Sequence, residues 1–204
     1  MPLQADVEDE VRRHVASGEW DAAATAAIRG YGTEVLEFLC AMHRDEADAN
    51  EIFSMVAEGI WRGLRRFEWE SSLRTWTYAV ARRSSLRYRR DERRRAAREA
   101  PLPEGSAASI LVAQLRTKTA SIFATEKRTG IAALRDSLPV ADQTLLLLHV
   151  DRGLSFAELA VVMNEDEGSE LDAEAKKREA ARLRKRFQLV KEKLHELARS
   201  KGLT

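Results

Sequence analysis

The sequence predicts an all-α chain, and three observations carry the prediction. Apolar residues recur at helical spacing from one end of the chain to the other, and no stretch keeps the two-residue alternation of a half-buried strand. Gly and Pro are scarce, 10 and 4 in 204 residues, so few points force the backbone out of a helix. Only 6% of the residues are aromatic, which leaves Leu, Ala, Val and Ile to build compact cores.

The elements follow in order. Val7, Val11 and Val15 mark a short first helix. An Ala-rich second helix begins after Trp20 and is expected to end near the "RGYG" turn. From Tyr31 onward, Val35, Leu36, Leu39 and Met42 mark a third. The stretch "DEADANEIFSMVAEGIWRGLRRF" puts Phe53, Val56, Ile60 and Leu64 on one stripe, with acids in its first turn where the helix dipole favours them. A short break, "RFEWESS", precedes a helix from about Ser72 to Arg95, with Leu73, Trp76 and Val80 facing inward and arginine dominating its C-terminal half. "APLPEGSAAS", Ala100 to Ser109, has no core-facing pattern and reads as a linker, so a domain boundary is expected there. Ile110 to Leu134 reads as one or two helices. Pro139 then suits a helix start, Gly153 a C-terminal cap, and Ser155 with Glu158 a capping box. The last helix, roughly Asp172 to Arg199, carries Leu183, Phe187, Val190, Leu194 and Leu197 on one stripe.

Composition narrows the function classes. A single cysteine, Cys40, lies in an apolar run, which excludes a disulfide framework and fits a buried thiol in a reducing cytosol. The N-terminus has no apolar signal-peptide core, and no window reaches the ~18 to 20 apolar residues of a membrane span. A cytoplasmic protein is expected. His14, His43, His149 and His195 are scattered, and no HExxH, CxxC, phosphate loop or nucleophile-base pattern stands out. Neither enzymatic activity, a cofactor nor a metal site is expected.

The charges nearly cancel, 34 Lys and Arg against 33 Asp and Glu, but they are segregated. Residues 1–60 hold 13 acids and 4 bases, whereas residues 82–98 and 176–193 each hold 9 bases and 2 acids. Two basic patches and one acidic face follow, suited to nucleic acid and to a protein partner respectively. On the last helix, at ~100° per residue, Arg178, Lys185 and Gln188 lie opposite the apolar stripe, flanked by Arg182 and Arg184. Arg and Lys neutralise phosphates or bond guanine edges, and Gln pairs with adenine, so this face suits a helix in a DNA major groove.

A resemblance covers about two thirds of the chain. Residues 45–95, above all "SSLRTWTYAVAR", resemble region 2 of extracytoplasmic-function (ECF) sigma factors of RNA polymerase. "LPVADQTLLLLHVDRGLSFAELAVVM" followed by "RLRKRFQLVKEKLHEL" resembles region 4 of the same family. The resemblance implies a region 2 helical bundle in residues 1–99, a linker with a helical part in 100–130, and a region 4 helix-turn-helix in 131–204. It implies a protein without catalytic chemistry that binds bacterial core RNA polymerase and directs it to promoter DNA. Region 2 would open and read the minus-10 element. There Phe67, Trp69, Ser71 and Ser72 match the loop that captures a flipped base, and Arg74, Arg82, Arg83, Arg87, Arg89 and Arg90 are phosphate candidates. Trp76 matches a promoter-proximal position, although its stripe points to the core. Region 4 would read the minus-35 element with Arg178, Arg182, Arg184, Lys185 and Gln188. An anti-sigma factor is a further partner that the resemblance brings in, with no residue pattern of its own. Two readings from other classes stand beside this one: a helix-turn-helix regulator acting without polymerase, and a sigma-like scaffold without promoter activity.

The chain departs from the family pattern at two places. The polymerase-docking helix matches Glu51 to Leu64, but Ser54 and Met55 stand where a Gln-Glu pair is usual, leaving Glu51 and Glu58 as docking acids. In region 4, about seventeen residues separate Met163 from Arg182 where a few are usual. "LDAEAKKREAA" has strong helix formers, so the reading helix is expected to start two or three turns early, capped by Ser169 or Asp172. The acidic insert, Asn164 to Glu174, would then leave "NEDEGSE" as a projection, either a solvated loop without a regulatory role or one that repels phosphates or masks the basic face.

Overall fold

A computed structural model describes residues 4–43, 45–91, 105–119, 122, 134–164 and 171–200. Every regular element among them is helical, so the chain is all-α. It divides into two compact units, residues 1–122 and 123–204. No helix among the described residues is long and apolar enough to cross a membrane.

The first unit comprises α1 (Gln4–Ala16), α2 (Trp20–Met42), α3 (Glu46–Gly63), a 3-10 turn (Leu64–Arg66), α4 (Leu73–Asp91) and α5 (Ala107–Arg116). Helix α2 is the axis of the bundle and packs against the other four helices. Its sequence allows this because apolar residues surround it: Ala23, Ala27, Ile28, Tyr31, Val35, Leu36 and Leu39 are all buried. Helix α3 is started by Asp45, whose Oδ1 accepts from the Ala47 and Asp48 amides at 2.8 and 3.1 Å. Its stripe, Ile52, Phe53, Val56 and Ile60, is buried.

The expected break at "RGYG" does not occur, because α2 is one continuous 23-residue helix. The glycines serve packing instead of termination. A Cβ on Gly30 would overlap the Val7 side chain of α1. On Gly32, it would stand 2.7 Å from Leu115 Cδ1 of α5. Each glycine costs the helix up to about 1 kcal/mol against Ala, and burial of Val7 and Leu115 offsets that. Cys40 is buried within the same helix, as its apolar run predicts. Helix α5, from the stretch read as a linker, packs on α2 and α3 within the first unit.

In the second unit, α6 (Val140–Leu146) widens into a π turn (Leu147–Asp151), and Gly153 reverses the chain at φ +70°. The expected capping box is present: the Glu158 amide donates to Ser155 Oγ, and the Ser155 amide to the Glu158 carboxylate at 2.7 Å. It opens α7 (Phe156–Met163). Helix α8 (Ala173–Ser200) is 28 residues long and is capped by Asp172, whose Oδ1 accepts from the Ala175 amide at 2.7 Å. The last helix therefore does start early, nine residues before Arg182. Residues 92–104, 123–133 and 165–170, including Ser169 and most of the acidic insert, lie outside the described residues.

Candidate nucleic-acid interface

Two surfaces carry the predicted site residues. In the second unit, Leu183, Phe187 and Val190 of α8 are buried against α6 and α7. Arg186 ties α8 to α6 through Asp142, Nε to Oδ1 at 2.6 Å. His149 is wedged between Phe156 and Phe187, with ring centroids 4.3 and 4.7 Å away. Its Nδ1 lies 2.7 Å from the Leu154 carbonyl, which can only accept, so Nδ1 carries the proton. With the apolar stripe fixed inward, helical geometry turns the opposite face to solvent. Arg178, Arg182, Arg184, Lys185 and Gln188 are all exposed. Two of them already make local contacts. Arg182 forks onto Glu179 at 2.7 and 2.8 Å, and the Arg184 guanidinium lies 5.2 Å over the Phe156 ring. Both contacts are at the surface and exchangeable for phosphate.

In the first unit, the loop from Phe67 to Ser72 leads into α4. Phe67 stacks on Trp76 at 4.9 Å and tilts against Trp69 at 4.8 Å, so the three rings form one half-exposed cluster. Trp76 is thus partly open, not core. Trp69 holds φ +62°, a left-handed conformation costly for a bulky residue. What holds it there comes from α1: the Arg12 guanidinium lies 3.8 Å over its ring. Helix α1 also supplies Glu8, whose carboxylate accepts the Leu73 amide at the positive end of α4. Ser72 completes that start, its Oγ accepting from the Thr75 amide at 3.1 Å. Ser71 is half-buried beside it. Sequence reasoning missed Glu8 and Arg12, since an acid and a base four residues apart on a helix ordinarily signal only each other.

The arginines of α4 divide into two groups. Arg74 forks onto Glu34, with N–O distances of 2.8 to 3.2 Å and both side chains mostly buried. Arg82 is only 6% exposed, and Arg89 donates to the Met42 carbonyl at the end of α2, 2.7 Å away. Arg74 and Arg89 thus tie α4 to α2, and Arg82 is taken into the interior. Arg83 and Arg87 are half-exposed and Arg90 is exposed.

The far end of α4 is joined to the α2–α3 corner by a buried polar set. His43 Nε2 lies 2.7 Å from Ser85 Oγ, and Tyr88 donates to Asp48 at 2.6 Å. Burial, with Arg89 adding to it against the opposing pull of Asp48, lowers the His43 pKa to about 4. On α3, Glu51, Ser54, Met55 and Glu58 share one strip at helical spacing. Glu51 is exposed, while Ser54 and Met55 are half-exposed. Glu58 lies 3.5 Å from Arg62. Its carboxyl pKa is raised by burial and by Glu51, against Arg62 and Arg87. Among the described residues no cluster of His, Cys, Asp and Glu is placed to hold a metal ion.

No curated protein and no solved structure matches the chain. Residues 27–95, spanning most of α2, α3, the aromatic loop and α4, match the family model described as Sigma-70 region 2, and this match supports a sigma-70 family sigma factor.

Proposed function

We propose that the protein is an ECF sigma factor that binds bacterial core RNA polymerase and directs promoter-specific initiation, with no catalytic chemistry of its own, in the cytoplasm. The observation that carries the reading is the outward set on α8, five exposed cationic or amide side chains opposite a buried apolar stripe, in a chain whose residues 27–95 match Sigma-70 region 2. In this reading α8 enters the major groove of the minus-35 element. Arg178 and Arg182 neutralise phosphates, while Arg184, Lys185 and Gln188 contact base edges. The Phe67, Trp69 and Trp76 rings offer faces to unpaired minus-10 bases, with Ser71 and Ser72 beside them. Arg83, Arg87 and Arg90 take the strand's phosphates. Arg74 and Arg82 act indirectly, by holding α4 in place. The α3 strip of Glu51, Ser54, Met55 and Glu58 docks on polymerase.

Reconstitution with core polymerase and transcription from a genomic promoter library tests this reading. Promoter-directed transcripts are expected. Failure to bind core would sink the proposal, and core binding without transcripts would leave a sigma-like scaffold.

A further inference from the structure

We propose that α5 is an intramolecular cover on the α3 docking strip, which polymerase must lift in order to bind. The inference rests on the reading that α3 is the docking helix. Helix α5 is independently started, with Ser106 Oγ accepting from the Ser109 amide at 3.1 Å. It buries Ala108, Val112 and Leu115. Leu115 enters the notch at Gly32, beside Phe53 of α3. The end of α5 then reaches the docking strip itself. Arg116 donates to Ser54 Oγ at 3.3 Å, and one turn away the fully buried Thr119 donates to Asn50 Oδ1 at 2.7 Å. Ser54 is one of the four strip residues, so a partner seated there must displace the segment from Arg116 to Thr119. Glu51 remains exposed and offers a first point of attachment.

The cover is built to yield. Among the described residues its seat takes Ala108, Val112 and Leu115, and of its hydrogen bonds to α3 the one to Ser54 is long and exposed. Because α5 belongs to the same chain as its seat, its local concentration stays high, and even weak contacts keep it closed. A cover closed about nine-tenths of the time raises the apparent Kd for polymerase about tenfold.

The test measures core polymerase binding by the full chain in three forms. Leu115→Asp should bind core about three- to tenfold more tightly, with helix content by circular dichroism confirming that it folds. Arg116→Ala, which leaves the apolar seat intact, should give a gain of about twofold. Asn50→Cys with Thr119→Cys, joined by a short bis-maleimide, should bind at least about tenfold more weakly than the same protein unjoined. Equal binding of joined and unjoined protein overturns the cover, as does the absence of any gain in both Leu115→Asp and Arg116→Ala. If the native and opened forms alike fail to bind core, it is the sigma-factor reading that fails, and the cover falls with it.

Discussion

Helices α4 and α8 are both rich in arginine, yet the fold uses them in opposite ways. On α4 three of the six arginines are taken up inside the bundle: Arg74 by Glu34, Arg89 by the Met42 carbonyl, while Arg82 is buried. On α8 one cation, Arg186, anchors the helix to Asp142, and the remainder of the basic set faces solvent. A count of basic residues therefore overstates the exposed basic surface of the first unit and is nearer the mark for the second. The lesson is that composition proposes a basic patch, and burial decides how much of it is left.

The comparison can be pressed hardest through pH. His43 is held neutral beside α4, with a pKa of about 4 against an unfolded value of 6.5. The unfolded chain takes up the proton first, so His43 leaves stability intact above about pH 6.5 and removes it as pH falls toward 4. The loss across that window is on the order of 3 kcal/mol. Urea midpoints at pH 7.5 and 4.5 should show it, and His43→Gln should flatten the difference. Next in size, Arg74→Ala strands the Glu34 carboxylate and should destabilise the first unit by about 2 kcal/mol while leaving the salt dependence of duplex DNA binding unchanged. The opposite signature is expected on α8. Lys185→Ala or Gln188→Ala should weaken minus-35 duplex binding by about tenfold with an unchanged thermal midpoint. Arg178→Ala should reduce the slope of log K against log salt by about 1. Smallest of all, Lys177→Ala breaks an exposed pair with Glu174 and should shift stability by less than about 0.5 kcal/mol. A stability loss from the α8 variants, or a changed salt slope from Arg74→Ala, would break the contrast.

Much of the fold was legible in the sequence because helical stripes report burial directly. Phe53, Val56 and Ile60 are buried as spaced, and Pro139, Gly153 and the Ser155–Glu158 box mark their boundaries at the expected residues. What failed was the "RGYG" break, since a glycine pair looks the same whether it ends a helix or lets a neighbour approach. The difference lies in Val7 and Leu115, far away along the chain. The candidate site was legible on α8, where the apolar stripe fixes the outward face without long-range knowledge. It was less legible on α4, because Arg74 meets Glu34 across forty residues, and the Trp69 conformation depends on Arg12.

The contacts made by α1 bear on how the chain comes together during synthesis. Thirteen residues with two buried valines cannot hold a helix on their own, so α1, made before α2 and α4, has nothing to fold against until they follow. Its seat, Gly30, follows soon after, whereas the amide that Glu8 caps belongs to Leu73, sixty-five residues downstream. The contacts of α1 are thus completed only after α4 has followed it, and the aromatic loop takes its form only when α1 and the start of α4 meet.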